Sequence, residues 1–296
     1  MVDRAPLGVL DLPALKERVG ELAARYRTAR PFAHIVIDDF LAPEVIGQAM
    51  HDFPRPDADQ WNSYVHANER KFADADPDSW GPTLRQVLSD LNSPSFVAFL
   101  EQLTGIDGLL PDEMLEGGGL HQSVAGGFLN IHADFTAHPR RRNWQRRVNL
   151  LLYLNEKWDP AWGGELELWS RDMQRCEERI TPIANRTVIF TTDPESYHGH
   201  PDPMRCPPGV ARKSLALYYF TVEPDPVVRA THYRSRPGEG LRGVVIALDN
   251  MALSAYAFLR RRLGVSDRSA GRVLRRLDRA RHRSDPSDGR RSRTQP

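Results

Sequence analysis

Phe128-Leu129-Asn130-Ile131-His132-Ala133-Asp134 is the stretch on which the reading of this chain turns. Its apolar run predicts a β-strand, and residues two apart on a strand share a face, so His132 and Asp134 project together. A neutral imidazole nitrogen and a carboxylate oxygen on one face can take two adjacent positions around a metal ion. An isolated His-x-Asp arises often by chance, so the sequence around it has to decide.

Outward from that stretch, short apolar or alternating runs fall at 118–124, 127–134, 147–155, 164–169, 186–192 and 212–222, separated by Gly, Pro and Asp. That spacing predicts an antiparallel sandwich or barrel. Upstream, the spacing predicts a helix over 12–26, a short strand over 33–37, a helix from near Pro43, and two helices over 84–103 broken around Ser93-Pro94. The segment 54–82, rich in Pro, Asp and Trp, reads as irregular. Residues 239–264 carry a helical apolar stripe, and the tail from 278 reads as disordered. The expected organisation is therefore 1–110 as N-terminal helices and strand packing on a barrel, 111–225 as the core, 226–277 as a helical extension, and 278–296 as a basic tail.

With 40% hydrophobic and 27% charged residues, the 296-residue chain has an ordinary globular composition. Two cysteines, Cys176 and Cys206, are too few for a disulfide framework, and the N-terminus has no apolar run of signal length, so a cytoplasmic location is expected. No window approaches the ~18 apolar residues of a membrane span. The net charge of +1 hides an asymmetry: residues 260–296 hold 13 Arg and four Asp, so the body is acidic. An acidic body argues against a duplex nucleic-acid surface on the folded part and leaves any polyanion contact to the tail.

Two histidines and one carboxylate on one face of an octahedron leave three positions open, the arrangement of non-haem iron(II) oxygenases. Ser196-Tyr197-His198-Gly199-His200 offers the third ligand, and the residues alone leave His198 and His200 in competition. Farther on, Arg212, Ser214, Ala216 and Tyr218 share one face of a strand. An inward guanidinium with a hydroxyl beside it calls for an anionic partner, either a bound carboxylate or a protein Asp or Glu. His121 and His138 read as ordinary strand or loop residues. The run Arg140-Arg141-Arg142-Asn143-Trp144-Gln145-Arg146-Arg147 is a weak candidate contact for an acidic substrate.

His132-Ala133-Asp134, Val148 to Asn155, Trp162-Gly163-Gly164 to Trp169, His198-Gly199-His200 and Arg212-Lys213-Ser214, in that order, resemble the prolyl-4-hydroxylase-like branch of the 2-oxoglutarate/Fe(II) oxygenases over roughly 118–222. The resemblance implies a mainly β fold with flanking α-helices, a double-stranded β-helix (jelly roll, cupin-like). It implies iron held by His132, Asp134 and His198, and 2-oxoglutarate and O2 as co-substrates, with ascorbate as a candidate reductant. Arg212 and Ser214 would hold the distal carboxylate of 2-oxoglutarate, Tyr153 would hydrogen-bond it, Leu166 and Tyr218 would line the pocket, and Gln122 would be a further contact. The substrate would be a protein or peptide residue, an amino acid or a natural-product intermediate. Tyr218 stands where AlkB-like nucleic-acid demethylases carry a second Arg, and Asp134 occupies the position a halogenase would leave to chloride. The spacing from His198 to Arg212 is longer than in many relatives, and the Pro-rich loop 201–209 fills it. Two other readings remain: a non-catalytic jelly-roll metal-binding module, and an adaptor working through its basic tail.

Overall fold

The computed structural model describes residues 8–250 other than 242 and 247. The N-terminal part contains helices α1 (Leu12–Glu17), α2 (Val19–Thr28), α3 (Pro43–His51), α4 (Pro82–Leu91) and α5 (Pro94–Thr104), with strands β1 (His34–Ile37), β2 (Asn62–His66) and β3 (Glu69–Asp74) between them. Then come β4 (Leu110–Pro111), β5 (Gly119–Ser123), β6 (Phe128–Ala133), β7 (Trp144–Tyr153), β8 (Leu166–Trp169), β9 (Cys176–Ile180), β10 (Thr187–Thr191), β11 (His198–His200), β12 (Arg212–Val222) and β13 (His232–Tyr233). Every pairing is antiparallel.

The strand order is β1-β10-β7-β12-β5-β3-β6-β11-β8-β9. Within it, the eight consecutive strands β5 to β12 separate into β10-β7-β12-β5 and β6-β11-β8-β9, the winding of a double-stranded β-helix. The two groups face each other. Leu166 and Leu168 of β8 and Ile180 of β9 pack against Tyr153 of β7 and Val188 and Phe190 of β10. The jelly roll expected from the sequence is the fold observed.

β12 shows how sequence alternation places the two cores. Leu215, Leu217 and Tyr219 turn outward and join Phe96, Phe99, Leu100 and Leu103 of α5 in the largest apolar cluster. Each such buried aliphatic or aromatic side chain contributes ~1.5–3 kcal/mol. The residues between them, Arg212, Ser214 and Tyr218, face the interior cavity instead. The α4–α5 break follows from Ser93, whose hydroxyl accepts the amide of Phe96 at 3.3 Å, with Pro94 in the first turn.

The structure corrects two readings. The helix expected over 12–26 is divided at Arg18 into α1 and α2. The segment 54–82, read as irregular, contains the β2–β3 hairpin, paired from Asn62↔Ala73 to His66↔Glu69. Its inward residues are polar because they line a cavity, which hides the usual apolar alternation. Of the helix expected over 239–264, residues 241, 243–246 and 248–250 are helical. Its continuation to 264 and the tail from 278 lie outside the described residues. Among the described residues no helix is long and apolar enough to cross a membrane.

Candidate metal and co-substrate site

β6 and β11 are neighbours, with His198 directly opposite His132. Gly199 allows that approach, since a Cβ there would lie 2.7 Å from the carbonyl oxygen of Leu129 and 2.8 Å from that of Asn130. The two imidazole rings stand 4.5 Å apart between centroids. Each ring is fixed the same way: Nδ1 of His132 bonds the carbonyl of Asn130 at 2.9 Å, and Nδ1 of His198 bonds the carbonyl of Ser196 at 2.9 Å. With Nδ1 donating, Nε2 keeps its lone pair for a metal.

Asp134, just past the end of β6, completes the group. Its Oδ1 is 3.5 Å from His132 Nε2, its Oδ2 is 3.5 Å from His198 Nε2, and the ligand atoms of all three buried residues lie within 4.8 Å of one another. Two acceptor nitrogens and a carboxylate converging in this way suit a divalent cation. Burial would raise the Asp134 pKa, but the Arg146 guanidinium and the two histidines hold it well below the usual carboxylate value. For His198, burial and the neighbouring His132 push the pKa down to about 4, so the ring is neutral and able to ligate at pH 7. His200 is not part of this group. It lines the same cavity, and its buried Nδ1 has no hydrogen-bond partner.

The carboxylate of Asp134 is held from behind. Its Oδ2 accepts from Arg146 Nη2 at 3.0 Å and from Asn149 Nδ2 at 2.7 Å, while Arg146 Nε donates to Asn149 Oδ1 at 2.8 Å. The Arg146 guanidinium, 1% exposed, stacks 3.4 Å from the centroid of the Tyr218 ring. This arrangement predicts that Arg146→Met lowers metal affinity by roughly 10- to 100-fold, the usual cost of losing a partner that orients a ligand. Equilibrium dialysis against Fe(II) or a Co(II) surrogate would check it, with unchanged affinity counting against the role. Arg146 and Asn149 were not singled out from the sequence. Val148 pairs with Tyr219 but Arg146 pairs with Phe220, so a bulge skips Arg147 and turns Arg146 inward.

Across the cavity, Arg212 opens β12. Its Nε donates to the carbonyl of Gly164 at 2.6 Å and its Nη2 to the Tyr153 hydroxyl at 3.0 Å. Gly164 permits this contact, as a Cβ there would come 2.7 Å from Met204 Sδ and 3.2 Å from Arg212 Cδ. Arg212 is buried, and no carboxylate pairs with it among the described residues. Its partners are a carbonyl and a phenol, so the guanidinium charge is left uncompensated within the protein. Ser214 lies opposite Tyr153, and Leu166 lines the same end of the cavity.

Gln122 and Tyr218 are both among the residues that line the cavity. Gln122 lies opposite Lys213 and Phe72, and both of its amide atoms are buried without a hydrogen-bond partner among the described residues. His121 and Ser123, opposite Ser214 and Arg212, line the cavity as well. Tyr218 does line the cavity, but beside Asp134 and Arg146, with its hydroxyl donating to the Gly117 carbonyl at 2.9 Å. His138 is structural: its Nδ1 accepts the amides of Arg140 and Arg141, and its Nε2 faces Asp112 at 3.3 Å. His121 is half-buried, and its loss of solvent together with Lys71 nearby pushes its pKa down to about 3.

Residues 228–233 cross the mouth of the cavity, and β13 pairs with β6 so that Tyr233 lies opposite His132, ring centroids 5.3 Å apart. Asn250 clasps Tyr233 by accepting its amide at 2.9 Å and donating to its carbonyl at 2.7 Å. Asp249 reaches the β2–β3 hairpin, bonding His66 and Asn68. Burial would lower the His66 pKa, but Glu69 and Asp249 outweigh it and raise the pKa above its usual value. A raised folded pKa gives stability that is full below the unfolded value of about 6.5 and lost as pH rises through the folded value. The melting-temperature advantage of wild type over His66→Gln is therefore expected to shrink as pH rises above about 6.5. An advantage that grows over that range would contradict the clasp.

A jelly roll that presents two histidines and an aspartate to a cavity, with an uncompensated arginine across from them, defines a class: the non-haem iron enzymes that take a 2-oxo acid co-substrate. The comparison with known families agrees. Residues 118–220 match the model of the 2OG-Fe(II) oxygenase superfamily. The match covers that core and not the elements on either side of it. A prolyl hydroxylase from Trichoplax adhaerens, solved with a hypoxia-inducible-factor peptide, shares the fold at TM-score 0.50 and 17% identity, over 71% of this chain and 91% of that one. A Pseudomonas putida prolyl-4-hydroxylase is similar at TM-score 0.49 and 23% identity, over 68% of this chain and 98% of that one. No curated protein matches the chain.

Proposed function

We propose that this chain is an Fe(II)- and 2-oxoglutarate-dependent dioxygenase that hydroxylates an unactivated C–H bond and releases succinate and CO2. Iron with 2-oxoglutarate and O2 supplies the oxidising power. His132, Asp134 and His198 are the residues that would hold the metal. Arg212, with Tyr153 and Ser214, would take the distal carboxylate of the co-substrate, and Leu166 would flank it. The remaining work of the protein is placement: Arg146 and Asn149 fix the carboxylate of Asp134, and the strap 228–233 limits water at the mouth. Gln122, which lines the same cavity, would be a further contact. Ascorbate as reductant and a cytoplasmic location are part of the same reading. The similarity to prolyl hydroxylases favours a prolyl or related amino-acid carbon as the site of attack.

The observation that carries the proposal is the buried, carboxylate-free Arg212 in the same cavity as the His132–Asp134–His198 group. A structural metal site has no use for such a cation, which disfavours a silent jelly-roll module. The test is succinate formation by the purified protein with Fe(II), 2-oxoglutarate and air. Succinate should appear slowly without substrate and stop with a chelator. No succinate from metal-loaded protein, with or without candidate substrates, would contradict it.

A further inference from the structure

The inward face of the β2–β3 hairpin is polar. Asn62, Tyr64 and His66 on β2 and Glu69, Lys71 and Ala73 on β3 all line the cavity, while Val65 points outward and is 70% exposed. A hairpin packed only for stability would have the opposite pattern, with apolar residues inside. Burying an ammonium and a carboxylate is costly unless they are paired, and here they are. Glu69 receives His66 Nε2 on Oε1 at 2.8 Å and Lys71 Nζ on Oε2 at 3.0 Å. Both carboxylate oxygens are therefore engaged. Lys71 has three donors, one directed to Glu69, and no other carboxylate pairs with it among the described residues. Burial would lower the Lys71 pKa, but Glu69 beside it outweighs burial and raises it, so the ammonium stays charged.

The register locates this charge. Phe72 pairs with Gln122, so one step along β3 Lys71 falls level with Ser123, and Ser123 pairs with Arg212. Lys71 and Arg212 thus occupy one rung of the sheet, two strand spacings or about 10 Å apart. Each has its own support: Glu69 and His66 for Lys71, Gly164 and Tyr153 for Arg212. Two separately supported cations on one cavity wall suit two separate anions. The cavity, about 810 Å³, has room for a second small molecule beside the co-substrate. Exposed Arg229 on the strap adds positive charge at its mouth.

We propose that Lys71 anchors a carboxylate of the substrate, so that the substrate is a small carboxylic acid held beside 2-oxoglutarate. This rests on the oxygenase reading above and extends it to the substrate. Glu69 and His66 act on Lys71 as positioning residues, holding its ammonium toward the cavity.

The experiment uses the full chain loaded anaerobically with Fe(II) and 2-oxoglutarate, probed with the free L-amino acids and the C3–C6 dicarboxylic acids, each beside its amide. The readouts are perturbation of the visible charge-transfer band and, in air, stimulation of succinate formation. At least one acid should perturb the band with its amide at least about 10-fold weaker, the effect of losing one charge-assisted hydrogen bond. Lys71→Met should weaken that acid by on the order of 10- to 100-fold, and Lys71→Arg by less. The 2-oxoglutarate requirement should change no more than about 2-fold, since Arg212 is intact. Glu69→Gln combined with Lys71→Met removes both charges together and separates loss of the anchor from misfolding around an unpaired Glu69. Acids and amides acting alike would overturn the proposal, as would a 2-oxoglutarate requirement in Lys71→Met that rises like that of Arg212→Ala. No charge-transfer band in wild type would bring down the oxygenase reading, and this proposal with it.

Discussion

Arg212→Ala is expected to raise the 2-oxoglutarate concentration for half-maximal succinate formation by at least about 30-fold while leaving metal affinity nearly intact. The guanidinium is buried between the Gly164 carbonyl and the Tyr153 hydroxyl, with no carboxylate partner among the described residues. Truncating one partner of a buried, hydrogen-bonded charge pair costs about 2–5 kcal/mol, which is roughly 30- to several-thousand-fold. Arg212→Lys should recover part of the loss only, because an ammonium cannot reproduce the planar fork. Tyr153→Phe removes one neutral hydrogen bond and should cost about 0.5–1.5 kcal/mol. Titrating 2-oxoglutarate across the three variants checks the ranking; an unchanged requirement in Arg212→Ala would reduce Arg212 to a structural residue.

His132→Ala and Asp134→Ala should both abolish activity but differ in stability. Either loses one of three converging ligands, and metal affinity should fall by more than the roughly 10- to 100-fold attached to orienting partners such as Arg146. Asp134→Ala also strands Arg146, 1% exposed and paired with Asp134 at 3.0 Å. Leaving a buried charge without its partner costs about 3–5 kcal/mol. His132→Ala strands no charge, so its urea midpoint should fall much less. Denaturant unfolding of the metal-free proteins separates the two, and equal midpoints would contradict the buried ion pair.

The parts of the site legible in the sequence were those that obey the two-residue period without interruption. His132 and Asp134, Tyr153, and Arg212 and Ser214 sit on runs whose alternation holds, and the order of these elements carried the jelly roll. Between His198 and His200 the residues alone did not choose, and the structure chose by register: His198 faces His132, and a shift separates it from His200. Arg146 was hidden by a bulge, which reverses parity next to Arg147 so that a run read as a weak contact for an acidic substrate delivers one arginine to the centre. Lys71 and Glu69 were hidden because a strand that walls a polar cavity lacks the apolar alternation that marks strands.

The most direct test of the central claim is an anaerobic optical titration of the wild-type protein with Fe(II) and then 2-oxoglutarate. The account predicts a weak visible charge-transfer band that saturates at one equivalent of metal, disappears in His132→Ala and needs far more 2-oxoglutarate in Arg212→Ala. Metal-replete wild type that shows no band on addition of 2-oxoglutarate would contradict it.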